Sequence, residues 1–234
     1  MLGVPMGEPS STPEVHGQYQ VIRRIATGGM AQVFLAKVLG ADGFEKPVVL
    51  KRVLPHLAED PKFLEMFRAE AKVAVQLKHP NIVQVFDFGE DQGSYFIAME
   101  YIQGESLKSA TKYFERRKTP FPPRLAAQLM LGACEGLHYA HTLCDENGVS
   151  YNIIHRDVSP DNVIVSSNGV PKIVDFGIAK AASNSTRTES GTIKGKYAYM
   201  SPEQISGQGV DRQTDVYALG ITLYEMLAGR RPYR

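Results

Sequence analysis

Between Ile154 and Gly177, polar side chains suited to holding a metal ion lie between short apolar runs. Asp157 is followed by Asn162, and Asp175 follows further along the chain. Carboxylate and amide oxygens are hard ligands that Mg²⁺ accepts together with substrate phosphates. A further carboxylate is then left to accept a proton from a hydroxyl group. Asp and Asn also form turns, so the ordered set, rather than any single residue, predicts phosphate chemistry.

Two charged residues earlier in the chain fall where apolar residues are expected. Strand alternation puts Lys51 on the same face as Val49 and Val53. Glu70 falls on the apolar stripe of a predicted helix. A charge on a core-facing surface needs a partner, so we predict that the two side chains form an ion pair. The alternative is that each reaches water at the edge of its own element.

A glycine-containing turn precedes both of these charged residues. Gly28 and Gly29 lie between two predicted strands. Glycines allow backbone N–H groups to approach phosphate oxygens, because no side chain blocks them. Two adjacent glycines in a hairpin are more often only a turn, so this segment alone does not predict a phosphate site.

Short strands dominate the first part of the chain, and helices dominate the second. We predict strands at 19–25, 33–38, 48–54, 82–88, 95–101, 163–165 and 172–174, and helices at 60–77, 106–117, 123–143 and 215–227. Residues 1–18 are rich in Gly, Pro, Ser and Thr and are predicted to be a disordered leader. We therefore expect one unit at 19–103 and a second, mostly helical unit at 104–234.

The composition excludes several classes of function. The chain has 26 basic and 25 acidic side chains, a formal net charge of +1, so no overall field attracts nucleic acid or an anionic membrane. Cys134 and Cys144 have neither metal-ligand nor CxxC spacing, which favours a reducing, cytoplasmic location. No apolar run is long enough to span a membrane, although an anchor beyond Arg234 stays open.

The order of these motifs resembles the signature set of the protein kinase superfamily, most closely that of bacterial Ser/Thr protein kinases. The resemblance runs from about residue 19 to 234. It rests on the glycine turn, Lys51, Glu70, His155-Arg156-Asp157, Asn162, Asp175-Phe176-Gly177 and Ser201-Pro202-Glu203. It implies an α+β, two-lobe protein kinase fold, with an antiparallel-sheet N-lobe containing one main helix. The C-lobe is expected to be mostly helical and to lack the family's last helices.

The resemblance also implies cofactors and roles for individual residues. ATP and Mg²⁺ are the implied cofactors. Asp157 would accept the substrate hydroxyl proton, Lys51 would hold phosphates and pair with Glu70, and Asn162 and Asp175 would bind Mg²⁺. The implied nucleotide contacts are Ile25, Gly28, Gly29, Val33, Val49, Lys51, Met99, Glu100, Ile102 and Ile164. Asp215 would brace the loop that carries Asp157.

Ala26 and Ala31 stand where the family's glycine-rich loop has glycines, so only Gly28 of the three is kept, and two further positions depart from the family pattern. Ser159 stands where Ser/Thr kinases usually carry a lysine that contacts the γ-phosphate. Lys196 stands where they usually carry a threonine. We hypothesise that Lys196 replaces the missing cation, since a positive charge near the transferring group stabilises the transition state from either segment. The alternative is that Lys196 only caps a surface loop.

The loop after Gly177 is rich in hydroxyl groups. The resemblance implies that phosphorylation there pairs with Arg156 and orders the loop. The candidate sites are Ser183, Ser185, Thr186, Thr188, Ser190 and Thr192.

The expected partners are proteins bearing Ser or Thr, with self-association during autophosphorylation, no nucleic acid and no membrane segment. Two alternatives stay open. One is a nucleotide-binding pseudokinase or scaffold, suggested by Ser159 and the sparse glycines. The other is a small-molecule kinase of related fold, against which Ser201-Pro202-Glu203 and the long hydroxyl-rich loop favour protein substrates.

Overall fold

A computed structural model describes residues 15–91, 93–176 and 197–233, with only the backbone of Glu70 described. The strands are β1 (Val15–His16), β2 (Tyr19–Thr27), β3 (Ala31–Leu39), β4 (Glu45–Val53), β5 (Val85–Asp91), β6 (Ser94–Glu100), β7 (Gly104–Ser106), β8 (Val163–Ser166) and β9 (Pro171–Ile173). The helices are α1 (Pro55–Ala58), α2 (Pro61–Gln76), α3 (Leu107–Arg116), α4 (Pro123–Thr142), α5 (Pro202–Ile205) and α6 (Gln213–Ala228). Short 3₁₀ turns lie at Ala41–Gly43 and Tyr197–Tyr199.

The chain divides into two compact units. The first contains the residues up to Glu59 together with Asp87–Tyr101, and the second contains Asp60–Phe86 together with the residues from Ile102 onward. The sequence boundary after Gln103 lies two residues from the division at Tyr101. Residues 60–86, which the sequence boundary assigned to the first unit, pack with the second, because α2 ends at the buried Leu77 of the second unit's apolar core.

One antiparallel sheet dominates the first unit, with strand order β1-β2-β3-β4-β6-β5. One face of this sheet forms an apolar core, because alternate residues of its strands point to the same side. The core consists of Tyr19, Phe34, Ala36, Val48, Leu50, Phe96 and Ala98.

Strand β1 lies inside the range that the sequence analysis assigned to a leader. His16 is 7% exposed and lies between Asp91 and Arg52, with its Nδ1 3.1 Å from Asp91 Oδ2 and its Nε2 3.1 Å from Arg52 Nη1. A buried polar ring with two partners holds these residues against the sheet, and composition alone does not reveal such contacts.

The second unit is built on α4, whose buried face is lined by small and apolar residues. Its core joins α4, α3, α6 and the strands β8 and β9. The small sheet β7-β8-β9 is antiparallel, and Gly104 lies opposite Ser166. The turns before and after β8 and β9 carry the polar residues singled out from the sequence.

The types of the long elements agree with the sequence predictions, while their bounds shift by a few residues. The helix predicted at 60–77 is α2, which Asp60 caps by accepting from the backbone N–H of Lys62 at 2.9 Å. Pro61 occupies the first helical position, where its missing N–H has no cost. The strand predicted at 82–88 begins only at Val85. Helix α1 was not predicted, since four residues are too short for a periodic pattern.

Candidate active site

The first unit brings several of the candidate nucleotide-binding residues onto one sheet face. In the strand register, Val33 lies opposite Lys51, and Val49 lies opposite Met99. These four residues therefore share the face opposite the apolar core, as alternation along β4 predicts. Lys51 is half-buried there, and Met99 is 8% exposed. Glu100 ends β6 on the following register position.

The turn of Gly28 and Gly29 joins β2 to β3, and the N–H of Gly28 donates to the carbonyl of Ala31 at 2.9 Å. Neither glycine has a positive φ. A Cβ at Gly28 would meet no atom closer than 3.6 Å, and a Cβ at Gly29 would meet none within 4 Å. The described structure therefore does not itself require glycine at either position. Ile25, near the end of β2, is 44% exposed.

The remaining candidates lie in the second unit. Ile102 is half-buried just before β7, and Ile164 lies on β8 opposite Ser106. Glu70 lies in α2, where only its backbone is described, so its pairing with Lys51 stays a prediction. Lys196, Gly177 and the candidate phosphorylation sites from Ser183 to Thr192 lie outside the described residues.

The loop that carries Asp157 is fastened to α6 by one buried carboxylate. Asp215 is fully buried, and it accepts hydrogen bonds from the backbone N–H groups of His155 and Arg156, each at 2.8 Å. This confirms the bracing role that the family resemblance implied for Asp215. Nε2 of His141 is a third donor at 2.8 Å. The contact of His141 was not predictable from the sequence, because no local pattern connects the end of α4 with α6.

Asp157 and Asn162 are held together inside this loop. The side-chain amide of Asn162 donates to the main-chain oxygen of Asp157 at 2.7 Å and to its Oδ2 at 2.9 Å. The N–H of Val174 donates to the carbonyl of Asn162 at 3.0 Å, which brings the segment of Asp175 beside the loop. The three residues predicted from the sequence therefore lie close together in the second unit.

The buried ring of His155 connects the same segments. Its Nε2–H donates to the carbonyl of Val174 at 3.0 Å, and its Nδ1 accepts from the N–H of Asp157 at 3.2 Å. Burial lowers the pKa of His155, and the nearby carboxylates of Asp215, Asp157 and Asp175 only partly oppose that effect. The ring therefore stays neutral, and its centroid lies 4.7 Å from that of Phe176, which confirms a packing role.

Two non-glycine residues of this region have left-handed backbones. Arg156 has a φ of 64° and Asp175 a φ of 59°. Such conformations are uncommon for residues with a Cβ and persist only where the surrounding contacts hold them. For Arg156 those contacts include the bond from its N–H to Asp215 and the bond from Nε2 of Gln204 to its carbonyl, at 2.9 Å.

Ser159 is 3% exposed, and its hydroxyl has no hydrogen-bond partner among the described residues. The position at which the family pattern expects a lysine is thus occupied by a small buried side chain.

In the same loop, Asp161 forms an ion pair with Lys108 of α3, with Nζ 3.0 Å from Oδ1 and 2.8 Å from Oδ2. This pair was not predictable from the sequence, since the two residues lie on separate elements.

The donor set fits a magnesium ion with phosphates. The Asp175 carboxylate and the Oδ1 of Asn162 are hard oxygen donors, and Mg²⁺ commonly uses one or two carboxylates together with substrate phosphates. Among the described residues no group of three or more His, Cys, Asp or Glu side chains could hold a metal alone. Two protein oxygens leave coordination positions that phosphate oxygens and water would fill.

Comparison with known proteins places this geometry in a family. A profile of the protein kinase domain matches residues 19–234. A protein of Myxococcus xanthus named tyrosine-protein kinase MasK is 46% identical over 232 residues, which are 98% of this chain and 36% of that protein. The Bacillus subtilis serine/threonine-protein kinase PrkC is 37% identical over 219 residues, which are 94% of this chain and 32% of that protein.

A solved structure agrees with these sequence matches. The kinase domain of Mycobacterium tuberculosis PknI superposes with a TM-score of 0.70 at 29% identity, covering 97% of this chain and 80% of that one. This chain spans about a third of the length of the curated relatives that it matches. Among residues 15–91, 93–176 and 197–233, no helix is long and apolar enough to cross a membrane. The profile match over residues 19–234, together with the two-unit α+β architecture, means that this chain belongs to the protein kinase family.

Proposed function

We propose that this chain transfers the γ-phosphoryl group of ATP to serine or threonine hydroxyls of proteins. The observation that carries the proposal is the arrangement of Asp157, Asn162 and Asp175 around one loop of the second unit. The relatives named serine/threonine kinases support the choice of acceptor.

In the proposed reaction, the acceptor oxygen forms a bond to the γ-phosphorus while the bond from that phosphorus to the β,γ-bridging oxygen breaks. The hydroxyl proton passes to the carboxylate of Asp157, and ADP leaves. The hydrogen bond from Asn162 to Oδ2 orients that carboxylate within the loop. A base held in this way contributes on the order of 10²–10⁴ to the rate.

Mg²⁺, when bound, neutralises charge on the phosphates. Asp175 and Oδ1 of Asn162 would hold it, and the left-handed φ of Asp175 sets the direction in which its carboxylate points. The nucleotide would contact Val33, Val49, Lys51 and Met99, which share one face of the first sheet. The remaining proposed contacts are Ile25, Gly28, Gly29, Glu100, Ile102 and Ile164.

The glycine turn supports the phosphate role in a specific way. Neither a positive φ nor a close contact within the described structure requires glycine at Gly28 or Gly29. We therefore attribute the absence of side chains there to a ligand that approaches the backbone. Backbone N–H groups of such turns bind phosphate oxygens. An alanine at Gly29 would therefore raise the KM for ATP and leave the thermal midpoint of unfolding nearly unchanged.

A tyrosine acceptor is the second candidate. It is favoured by the 46% identity to a relative named a tyrosine-protein kinase and by Ser159, which replaces the lysine usual in Ser/Thr kinases. Phosphoamino-acid analysis of the labelled product separates the two. Phosphotyrosine alone would overturn the proposed acceptor while leaving the phosphoryl transfer intact.

The test of the proposal is transfer of label from γ-labelled ATP with Mg²⁺ to the chain itself and to a protein acceptor. Asp157→Asn should abolish labelling while nucleotide binding persists. Asp42→Asn is the matched control, because Asp42 is exposed with a φ of 55°, a conformation that asparagine tolerates. Retention of nucleotide binding without any label on the native chain would support a scaffold instead.

The proposed role of Lys196 has its own test. Lys196→Ala should lower kcat if this lysine supplies the cation that the catalytic loop lacks, and Ser159→Lys should restore part of the loss in the double variant. Normal turnover of Lys196→Ala would end that hypothesis.

A further inference from the structure

One face of α3 carries a line of positive charge. Lys108, Lys112 and Arg116 follow each other at intervals of four residues, so they form one stripe along the helix. All three are exposed, while Leu107 and Thr111 on the opposite side are buried. The stripe therefore faces solvent along the whole helix, over about 12 Å at 1.5 Å per residue.

Arg117 and Lys118 extend the stripe at the C-terminal end of the helix, and we call these five residues the α3 basic surface. The N–H of Lys118 donates to the carbonyl of Glu115 at 2.9 Å, and the N–H of Thr119 donates to that of Phe114 at 3.1 Å. This pair of bonds is a Schellman motif, which places Lys118 at the left-handed position, with φ 53°. Glycine is the favoured residue there, so this lysine occupies a position that disfavours it.

Helix stability does not account for the α3 basic surface. Cations at the last turn favour the helix dipole, but Lys108 lies in the first turn, where a cation is unfavourable. Like charges four residues apart also repel each other. Within the part of the chain that the structure describes, no carboxylate lies within ion-pair distance of Lys112 or Arg116. Residues 105–118 thus carry five cations and only two carboxylates, Glu105 and Glu115, although the net charge of the whole chain is +1.

The surface begins at the loop that carries Asp157. The N–H of Lys108 donates to the carbonyl of Pro160 at 3.0 Å, and its Nζ contacts Asp161. The guanidinium of Arg117 lies over the ring of Tyr113, 4.6 Å from its centroid, which fixes the position of that charge. A protein whose acceptor hydroxyl lies at Asp157 would therefore have neighbouring segments within reach of this stripe.

We propose that the α3 basic surface docks acidic segments of protein substrates. This inference rests on the proposed kinase function and adds the class of substrate. An extended segment of about four residues spans the 12 Å from Lys108 to Arg116. Side chains of Asp or Glu in such a segment would meet Lys112 and Arg116, which have no carboxylate partner among the described residues, beside Lys108, which already pairs with Asp161.

A membrane surface fits the same charges less well. Basic helices that bind membranes insert an exposed apolar face beside their charges. Here the apolar side of α3 packs into the core of the second unit, with Leu107 fully buried and Phe114 packed against the cluster. Helix α3 therefore exposes charged side chains to a partner, but its apolar side is buried and cannot insert into a membrane.

The test compares two acceptor peptides that differ only in one run of five residues, Glu in one and Gln in the other, placed at three distances from the acceptor hydroxyl. The native chain should show a KM for the best Glu peptide about five-fold lower than for its Gln counterpart, since exposed ion pairs are each weak. Salt should remove the difference, because exposed charges are screened. Fluorescence anisotropy of labelled peptides measures the same preference without catalysis.

Three variants make the test specific. Lys112→Gln with Arg116→Gln should raise the KM for the Glu peptide to that for the Gln peptide, at unchanged kcat. Lys62→Gln with Lys78→Gln removes the same charge from exposed positions outside α3 and should keep the preference. Lys118→Gly removes a charge at a position that glycine favours, so its reduced preference cannot be assigned to a weakened fold.

Each outcome separates the two proposals. Equal KM values and equal binding of the two peptides on the native chain overturn the docking proposal, even if both peptides are phosphorylated. A preference in binding without any transfer supports docking and counts against the kinase function. The native chain could instead bind phosphatidylserine vesicles, lose that binding in the α3 variants, and bind the two peptides equally. That result would identify a membrane, and not a protein substrate, as the partner of the α3 basic surface.

Discussion

The side-chain amide of Asn162 bonds both the main-chain oxygen and Oδ2 of Asp157, at 2.7 and 2.9 Å. Replacing the amide by a carboxylate in Asn162→Asp would put two negative groups at this distance and remove the donor. We expect phosphoryl transfer to fall by at least about 100-fold, since the proposed base loses its orientation. Asn147→Asp makes the same charge change at an exposed loop position and should retain activity. Initial rates at saturating ATP and Mg²⁺ measure both, and more than a tenth of native activity in Asn162→Asp would contradict this role.

Asp215 accepts three hydrogen bonds while fully buried. In Asp215→Asn an amide N–H would replace one accepting carboxylate oxygen, so that a donor would face a donor. We expect a loss of about 3 kcal/mol in the free energy of unfolding, because hydrogen bonds to charged groups are strong and the stranded N–H groups stay buried. Asp211→Asn is the control, because the Asp211 carboxylate lies at the start of the same helix and accepts from the N–H of Gln213 at 2.7 Å. It should lower the free energy of unfolding by well under half as much as Asp215→Asn. Urea unfolding gives both values.

His155 predicts how stability depends on pH. Its pKa in the folded chain is lowered, mainly by burial, whereas in the unfolded chain it stays near its ordinary value of about 6.5. The unfolded chain therefore binds more protons at low pH, so this contribution to stability is present above about pH 6.5 and is lost as the pH falls below it.

Unfolding free energies at pH 7.5, 6.5 and 5.5 measure that contribution. The native chain should lose stability over the lower interval, and His155→Asn should flatten the profile because its amide does not titrate, while its oxygen can still accept from the N–H of Asp157 as Nδ1 does. His56→Gln, at an exposed position, should leave the slope unchanged. An identical slope in His155→Asn would show that other groups carry the pH dependence.

The long elements and the loop residues of the second unit were predictable from the sequence, for physical reasons. Helix α2 has an Asp cap, a Pro at its first position and a regular apolar stripe, all of which are local signals. Asp157, Asn162 and Asp175 were predicted because carboxylates and amides in that order between apolar runs are suited to metal–phosphate chemistry. The structure places the three close together around one loop.

Contacts between distant segments were not predictable in the same way. His141 and Asp215 lie 74 residues apart, and Lys108 and Asp161 lie 53 residues apart. No periodicity or spacing connects such pairs, because each depends on how α4 packs on α6 or how α3 meets the loop. The burial of Ser159 is a consequence of packing of the same kind, and the short strand β1 depends on the contacts of His16 with Asp91 and Arg52.

Two buried serines provide an internal comparison. The hydroxyl of Ser159 has no partner among the described residues, whereas that of Ser201 lies 3.2 Å from Oγ1 of Thr214 and caps α5. Ser159→Ala removes a buried polar group without breaking a described bond, so stability should stay equal or rise by up to about 1 kcal/mol. Ser201→Ala should cost about 1–2 kcal/mol, the usual range for losing a cap. A clear loss of stability in Ser159→Ala would indicate that its hydroxyl has a partner outside the described residues.

Gly104 is required by a close approach between backbones. A Cβ there would lie 2.0 Å from the carbonyl oxygen of Val165 and 2.8 Å from Cα of Ser166, both backbone atoms that a rotamer change cannot move. Gly104→Ala must therefore push β7 away from β8, and we expect a loss of about 2–3 kcal/mol in the free energy of unfolding. Because β7 leads directly into α3, whose first turn is bonded to the loop of Asp157, activity should fall as well.

Gly209→Ala is the matched control, since its Cβ would meet nothing within 4 Å and its φ is not positive. That variant should be as stable as the native chain or slightly more so, because alanine restricts the unfolded chain. Equal urea midpoints for the two variants would mean that β7 can move away from β8 at little cost, and that the first turn of α3 does not depend on it.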